Sequence, residues 1–204
     1  MIDSADIPSP ETKLALMELT IRKLTEAGYV YIGMDHFALP EDELTIAQRE
    51  GGLQRNFQGY STRRECDLLG LGVSAIGKVG DCYAQNIKDL PTWQRSVAEG
   101  ELPIWRGVSL TTEDRLRRSV IESVMCHGEV NFEDFDSNYA IDFQDHFALE
   151  LGNLQQLEKD GLVNMDHDSF SVTPEGRLLL RAVAMVFDED LQIPESKPKF
   201  SRVI

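Results

Sequence analysis

The sequence predicts an α/β part followed by a mainly α-helical part, in a chain of 204 residues. Two observations predict this order. Near the N-terminus an amphipathic helix pattern is followed, after one glycine, by an apolar strand pattern, and from Pro91 onward helix patterns dominate. A chain of this length can form one large or two small domains with their own cores. We therefore expect domains at residues 1–90 and 91–192, followed by an irregular tail at 193–204.

The first predicted elements are a helix and a strand. The segment Ser9-Pro10-Glu11 offers a capping hydroxyl, a proline and an acid, which together favour a helix start. One apolar face follows at helical spacing, formed by Leu14, Met17, Ile21 and Leu24. Gly28 is expected to end the helix, and residues 29–34 are apolar on both faces, which is typical of a buried strand. A helix followed by such a strand predicts a parallel sheet.

The rest of the N-terminal part contains shorter patterns. Residues 40–50 predict a short helix closed by Gly51-Gly52, and residues 57–60 and 68–76 predict extended segments. These are too few strands to close a barrel.

The second part predicts helices around a small hairpin. The predicted elements are helices at 91–99, 112–128 and 142–159, short strands at 161–163 and 170–172, and a last helix at 173–186. This order is typical of a winged-helix-like module.

Charge and composition exclude several classes of function. The formal net charge is −15, which opposes binding to nucleic acid. Seven acidic residues and no Lys or Arg lie between residues 128 and 150, and we interpret this run as a solvated face. No stretch is long and apolar enough for a membrane span, and the N-terminus lacks a signal-peptide pattern, so we expect a cytoplasmic protein without a membrane partner.

The three cysteines, Cys66, Cys82 and Cys126, lie 16 and 44 residues apart. This spacing does not match a metal site, so we expect free thiols in a reducing compartment and no metal ligands. The histidines likewise have no ligand-spaced partners.

The segment Asn56-Phe57-Gln58-Gly59-Tyr60 is the strongest candidate binding site. Its amides can donate and accept hydrogen bonds, its aromatic rings offer apolar faces, and its glycine allows close backbone approach. A loop that satisfies its own backbone is the alternative interpretation. Residues 70–75 match the G-x-G-x-x-G/A pattern, but Gly77 interrupts any following helix, so a dinucleotide site is not favoured.

Three further residues are candidates for substrate contact or for structural roles. Asp35 and His36 follow the predicted strand at 29–34, where barrel enzymes place functional groups, although a local capping contact is the alternative. Arg63 could meet a ligand carboxylate. The doublet Arg117-Arg118 could also meet a ligand carboxylate, but solvated helix or loop surface is the favoured interpretation.

These motifs also resemble a known family. The segments at 28–51 and 51–80, which include Arg55-Asn56-Phe57-Gln58-Gly59-Tyr60, and the final Phe-Ser-Arg-Val-Ile at 200–204 are similar to oxygen-independent coproporphyrinogen III oxidase. The Cys-x3-Cys-x2-Cys motif of such radical S-adenosylmethionine enzymes is missing. The resemblance therefore covers only the C-terminal part of the family.

The resemblance implies a fold, cofactors and a substrate. Residues 1–90 would be the last part of a partial (β/α) radical barrel, with a winged-helix-like domain after it. Gln58, Phe57 and Ile76 match positions that hold a second S-adenosylmethionine, whereas the ligands of the 4Fe-4S cluster are not in this chain. The whole enzyme would oxidatively decarboxylate coproporphyrinogen III, a tetrapyrrole, and we expect this chain alone to be inactive.

Two alternatives remain open. A related radical protein of haem trafficking has a different sequence at the positions of residues 55–60, which favours the oxidase. A non-catalytic winged-helix interaction module belongs to another class of function. If strand 29–34 has lost a barrel neighbour, its open edge should also promote self-association.

Overall fold

The computed structural model describes residues 7–63 and 66–192. The predicted tail at 193–204 and Arg64 lie outside the described residues. Nine α-helices lie within the described part: α1 (Pro10–Glu26), α2 (Glu43–Arg49), α3 (Leu90–Ala98), α4 (Thr112–Cys126), α5 (Phe132–Tyr139), α6 (Phe143–His146), α7 (Ala148–Lys159), α8 (Leu180–Ala184) and α9 (Glu189–Gln192).

Ten strands form four small antiparallel sheets in the same part of the chain. The strands are β1 (Val30–Gly33), β2 (His36–Ala38), β3 (Gln54–Asn56), β4 (Gly59–Ser61), β5 (Ile76–Val79), β6 (Cys82–Asn86), β7 (Ile104–Ser109), β8 (Glu129–Asn131), β9 (Val163–Met165) and β10 (Ser169–Val172). The sheets have the orders β1-β2, β3-β4, β5-β6-β7 and β8-β10-β9.

The first helix begins as predicted, but the strand after it is not parallel. The Ser9 hydroxyl accepts a hydrogen bond from the backbone N–H of Thr12, which caps α1. Strand β1 then pairs antiparallel with β2, so the predicted parallel unit is wrong. The reason is local: Gly33 (φ +151°) and Met34 (φ +56°) turn the chain straight back, and a hairpin forms before any crossover.

The segment predicted as extended at 68–76 is mostly a loop in front of β5. Leu68 forms a single bridge to Lys78, and regular pairing starts at Ile76. Strand β7 pairs with β6, so the helical part predicted from Pro91 also contains a strand of this sheet. The boundary at 90/91 stays a prediction.

The C-terminal part packs around phenylalanine side chains. The rings that are at most 7% exposed are those of Phe132, Phe135, Phe143, Phe147, Phe170 and Phe187. They pack with the buried face of α4, which carries Leu116, Val120 and Val124 as the sequence predicts. The hairpin β9–β10 is confirmed by the pairing of Val163 with Val172.

Three details of this part differ from the prediction. The helix expected at 142–159 is divided into α6 and α7 at Phe147, because that ring turns into the core. The helix expected at 173–186 is interrupted by 3₁₀ turns at Gly176–Leu179 and Met185–Phe187. Strand β8 and helix α5 lie in the acidic run, where buried Phe132 and Phe135 face the core.

Within the described ranges no helix is both apolar and long enough to cross a membrane.

Candidate functional site

The candidate segment at 56–60 forms the tip of a two-residue hairpin. Asn56 pairs with Gly59 across β3 and β4, and Phe57 and Gln58 form the turn. The Asn56 side-chain oxygen accepts a hydrogen bond from the Gln58 backbone N–H at 2.8 Å. The turn thus satisfies its own backbone groups, which agrees with the alternative interpretation of this segment as a structured loop. The side chains of Phe57 and Gln58 remain exposed and free for contact with a ligand.

Tyr60 anchors this hairpin to the rest of the molecule. Its hydroxyl donates to the Met125 carbonyl oxygen at 3.0 Å, which links β4 to α4. Burial raises the pKa of the Tyr60 phenol well above its ordinary value, and the nearby thiol of Cys126 adds to this shift. The hydroxyl also contacts Gly33, where a Cβ would collide with it. Glycine is therefore required where the two hairpins meet.

His36 lies against Gly59, the glycine of the hairpin at 56–60. Its ring packs edge-on against Tyr60, and its Nε2 would be 2.9 Å from a Cβ added at Gly59. Nδ1 of His36 lies 2.7 Å from Oδ1 of Asp35 but does not make a directed hydrogen bond. Asp35 and His36 follow strand β1 as predicted, but β1 pairs antiparallel with β2, which His36 begins, so this is not the end of a parallel strand. In this position His36 supports the hairpin at 56–60.

Ile76 lies on the sheet that faces the turn. Ile76 and Lys78 are two residues apart on β5, so their side chains lie on the same face of the sheet. Lys78 pairs with Tyr83 on β6. The Phe57 ring packs edge-on against Tyr83, with ring centres 5.2 Å apart. Phe57 and Ile76 therefore lie on the same face of this sheet, whereas Gln58 has no recorded contact with it.

The glycine-rich segment at 70–75 does not form a phosphate-binding turn. It leads into β5, and a phosphate-binding turn needs a helix at this point. A Cβ at Gly70 would collide with the Ile76 backbone, and one at Gly77 would lie 2.7 Å from the Leu68 carbonyl oxygen. These glycines allow close backbone packing, as the sequence indicates.

A cavity of about 400 Å³ opens between the hairpin, the sheet and α4. Its charged and aromatic lining residues are Arg55, Phe57, Lys78, Tyr83, Arg118 and Glu122. Three buried polar atoms of its lining have no hydrogen-bond partner within the described residues: Oε1 of Gln54, Nε of Arg55 and Oε1 of Glu122. Unpartnered buried polar atoms are costly, so a ligand that pairs with them gains affinity.

Two aromatic rings lie against the two arginines that line this cavity. The guanidinium of Arg118 lies 5.9 Å from the Tyr83 ring centre, and that of Arg55 lies 5.6 Å from the Tyr60 ring centre. Burial raises the pKa of the Tyr83 phenol, the positive charge of Arg118 opposes this shift, and the carboxylate of Glu122 adds to it. Tyr83 is thus neutral and lies between one cation and one acid.

The arginines predicted as candidates have different environments. Arg63 is exposed and does not line this cavity. Arg117 is not solvated surface as predicted, because its side chain is only 15% exposed and pairs with Glu113 and Glu150. Glu150 is itself buried, so one member of the acidic run belongs to the interior.

Arg55 and Glu122 were not identified as site residues from the sequence, and Arg118 was expected to lie on solvated surface although a carboxylate contact was the alternative. The one available signal was the spacing of four between Arg118 and Glu122, which places both on one face of α4. That spacing is equally typical of a surface ion pair. In the structure these two side chains form no ion pair with each other, and both line the cavity.

Cys66, Cys82 and Cys126 form no disulfide with one another. Cys66 and Cys82 are exposed, and Cys126 is buried under the first hairpin. In residues 7–63 and 66–192 no three His, Cys, Asp or Glu side chains are grouped to hold a metal ion.

Comparison with known proteins identifies relatives along the whole chain. Residues 110–179 match the family described as HemN C-terminal domain. The chain is 49% identical over 203 residues to an oxygen-independent coproporphyrinogen III oxidase of Escherichia coli, covering 100% of this chain and 44% of that relative. The corresponding enzyme of Pseudomonas aeruginosa is 48% identical with the same coverage. A relative from Thermostichus vulcanus is 45% identical, and the chain covers 62% of it.

A solved structure agrees with these relatives. The coproporphyrinogen III oxidase of Escherichia coli, described as a radical SAM enzyme, matches with a TM-score of 0.86 at 49% identity. The match covers 92% of this chain and 43% of that one. The chain thus spans less than half the length of these two matched Escherichia coli proteins.

Proposed function

We propose that this chain, which is similar along its whole length to the C-terminal part of oxygen-independent coproporphyrinogen III oxidases, serves as that part of such an enzyme. The whole enzyme would convert coproporphyrinogen III to protoporphyrinogen IX by radical S-adenosylmethionine chemistry. The observation that carries this proposal is the 49% identity over 203 residues, which includes the hairpin at 56–60. Local resemblance to a single motif would be much weaker support.

The chain's own residues fit a role in binding S-adenosylmethionine. Phe57 and Ile76 offer apolar surface, and the exposed Gln58 amide can donate and accept hydrogen bonds. In the whole enzyme, S-adenosylmethionine cleaved by one electron from the 4Fe-4S cluster would supply the radical that removes the hydrogen. The task of these residues is to bind and orient it. The described cysteines do not fit the 4Fe-4S cluster, and we assign it no ligand here.

The region at 91–192 is proposed to be a winged-helix-like cover over the site. Its order from α4 onward, α4, β8, α5, α6, α7, β9, β10, and its sheet β8-β10-β9 support this description. Helix α4 belongs to this region and also lines the cavity through Arg118 and Glu122. The preceding residues are proposed to be the end of the radical barrel, although the described strands are antiparallel. Self-association and a cytoplasmic location stay predictions.

A chimera tests the proposed function. This chain would replace the matching 44% of the Escherichia coli relative. We expect the chimera, reconstituted anaerobically with its cluster, to form protoporphyrinogen IX. The intact relative is the positive control, and the relative without its C-terminal part is the negative control. A chimera that folds and retains the cluster's visible absorbance but forms no product would refute the proposal.

Substitution of Gln58 tests its assignment to the S-adenosylmethionine site. In the chimera we expect Gln58→Ala to raise the KM for S-adenosylmethionine by about threefold to tenfold, the effect of one lost hydrogen bond. The cluster absorbance should not change. Gln94→Ala, at an exposed position on α3, is the matched control. Equal KM values for both variants would remove Gln58 from the site.

A further inference from the structure

We propose that Arg118, Arg55 and Lys78 form a carboxylate-binding subsite, and that the group it holds is a propionate of the tetrapyrrole. The inference rests on the proposed function and deepens it, because it assigns substrate contacts to side chains that the motif at 56–60 does not include. The subsite is the 400 Å³ cavity between β3, the β5–β6 hairpin and α4.

The first argument is the local charge. The chain carries a net charge of −15, yet this cavity is lined by three cations, Arg55, Lys78 and Arg118, and one acid, Glu122. A local excess of positive charge in an acidic protein attracts an anion to this position. Cations held close together also repel each other, and an anion bound between them removes this repulsion.

The second argument is that these groups lack partners inside the protein. Arg118 and Glu122 are one helical turn apart, but no ion pair joins them. Nε of Arg55 and Oε1 of Glu122 are buried without a hydrogen bond among the described residues. Other arginines of the same helix are paired, Arg115 with Asp81 and Arg117 with Glu113. The cavity therefore keeps its donors available for a ligand.

The third argument is that the donors are held in place. The rings of Tyr83 and Tyr60 lie beside the guanidiniums of Arg118 and Arg55 and restrict their motion without using their N–H groups. An ordered guanidinium binds a carboxylate through two parallel hydrogen bonds with little further loss of entropy.

The remaining groups indicate which carboxylate is bound. Oε1 of Gln54 and Oε1 of Glu122 have no hydrogen-bond partner among the described residues, so they favour a ligand that carries N–H groups as well as carboxylates. A second cavity of about 340 Å³ shares Arg55 and adds Arg181. A tetrapyrrole has pyrrole N–H groups and several propionates, so it can reach both cavities. S-adenosylmethionine has one carboxylate and one ammonium, and it is the competing source.

Binding to the chain itself tests the subsite. The probe is coproporphyrin III, the oxidised and air-stable tetracarboxylate, titrated by calorimetry and by porphyrin fluorescence. We expect binding to the wild-type chain, and at least about tenfold weaker binding to Arg118→Gln, the loss of one charged hydrogen-bonded pair. Arg118→Lys should recover part of the affinity, because lysine restores the positive charge but not the two parallel N–H donors of the guanidinium. The tetramethyl ester of the probe should bind at least about tenfold more weakly to the wild-type chain.

Controls separate the subsite from misfolding and from the competing ligand. Arg95→Gln, on the exposed side of α3, should bind the probe as the wild type does. Circular dichroism melts show whether each variant is folded. Three results would overturn the proposal. The wild-type chain could fail to bind coproporphyrin III, or folded Arg118→Gln could bind it as tightly as the wild type. In the third, Arg118→Gln would weaken the binding of S-adenosylmethionine but not that of coproporphyrin III.

The same variant in the chimera keeps the two proposals apart. An active chimera whose KM for coproporphyrinogen III is unchanged by Arg118→Gln would refute the subsite and leave the function standing. An inactive chimera together with Arg118-dependent binding of coproporphyrin III would refute the function and leave the subsite standing.

Discussion

Replacing Arg117 with Met should lower the free energy of unfolding by about 3–5 kcal/mol, because it leaves a buried carboxylate without its partner. Nη1 of Arg117 lies 2.7 Å from Oε1 of Glu150, and the two side chains are only 15% and 9% exposed. Burial opposes the charge of Arg117, but its hydrogen bonds to Glu150 and Glu113 outweigh this and raise its pKa. Urea unfolding followed by circular dichroism measures the change.

Arg115→Met is the matched control on the same helix. Arg115 also pairs with an acid, Asp81, but both side chains are about half exposed, at 41% and 55%. Exposed pairs contribute about 0–1 kcal/mol, so this variant should unfold almost like the wild type. Adding Glu150→Gln to Arg117→Met should recover most of the loss, because the uncompensated buried charge is removed. Similar losses in both single variants would contradict the interior role of Arg117.

Phe143→Ala should destabilise the C-terminal part by about 3–5 kcal/mol, the cost of removing a large aromatic side chain from a closed core. Phe143 is fully buried. Its ring stacks on Phe132 at 4.6 Å and packs against Phe147 at 4.7 Å, so the remaining rings cannot fill the space without moving both neighbouring helices. Thermal and urea unfolding measure this loss.

Leu149→Ala provides the comparison for Phe143→Ala. Leu149 lies on α7, next to the same core, but is 83% exposed. A change at such a position should stay within about 0.5 kcal/mol of the wild type. If Phe143→Ala unfolded with the same midpoint as Leu149→Ala, the phenylalanine cluster would not be the core of this part.

The acidic run shows how far charge patterns can be interpreted without a structure. Five of its seven acids are exposed, in agreement with a solvated face. Asp136 is half-buried, and its Oδ1 accepts a hydrogen bond from the Phe143 backbone N–H. Glu150 is buried, and it pairs with Arg117 from a distant part of the chain. Phe132 and Phe135 within the run were also overlooked, although two phenylalanines three residues apart are typical of one buried helix face.

The sequence alone determined the start of α1, the hairpin β9–β10, the apolar face of α4 and the resemblance to the family. Each of these depends on residues close together in the chain, such as the capping hydroxyl of Ser9. Only the tertiary structure decided the direction of β1 and the lining of the cavity. Strand direction depends on which neighbour is available, and Gly33 and Met34 provide an antiparallel one. Arg55, Lys78 and Arg118 come from three separate elements, so only folding brings their charges together.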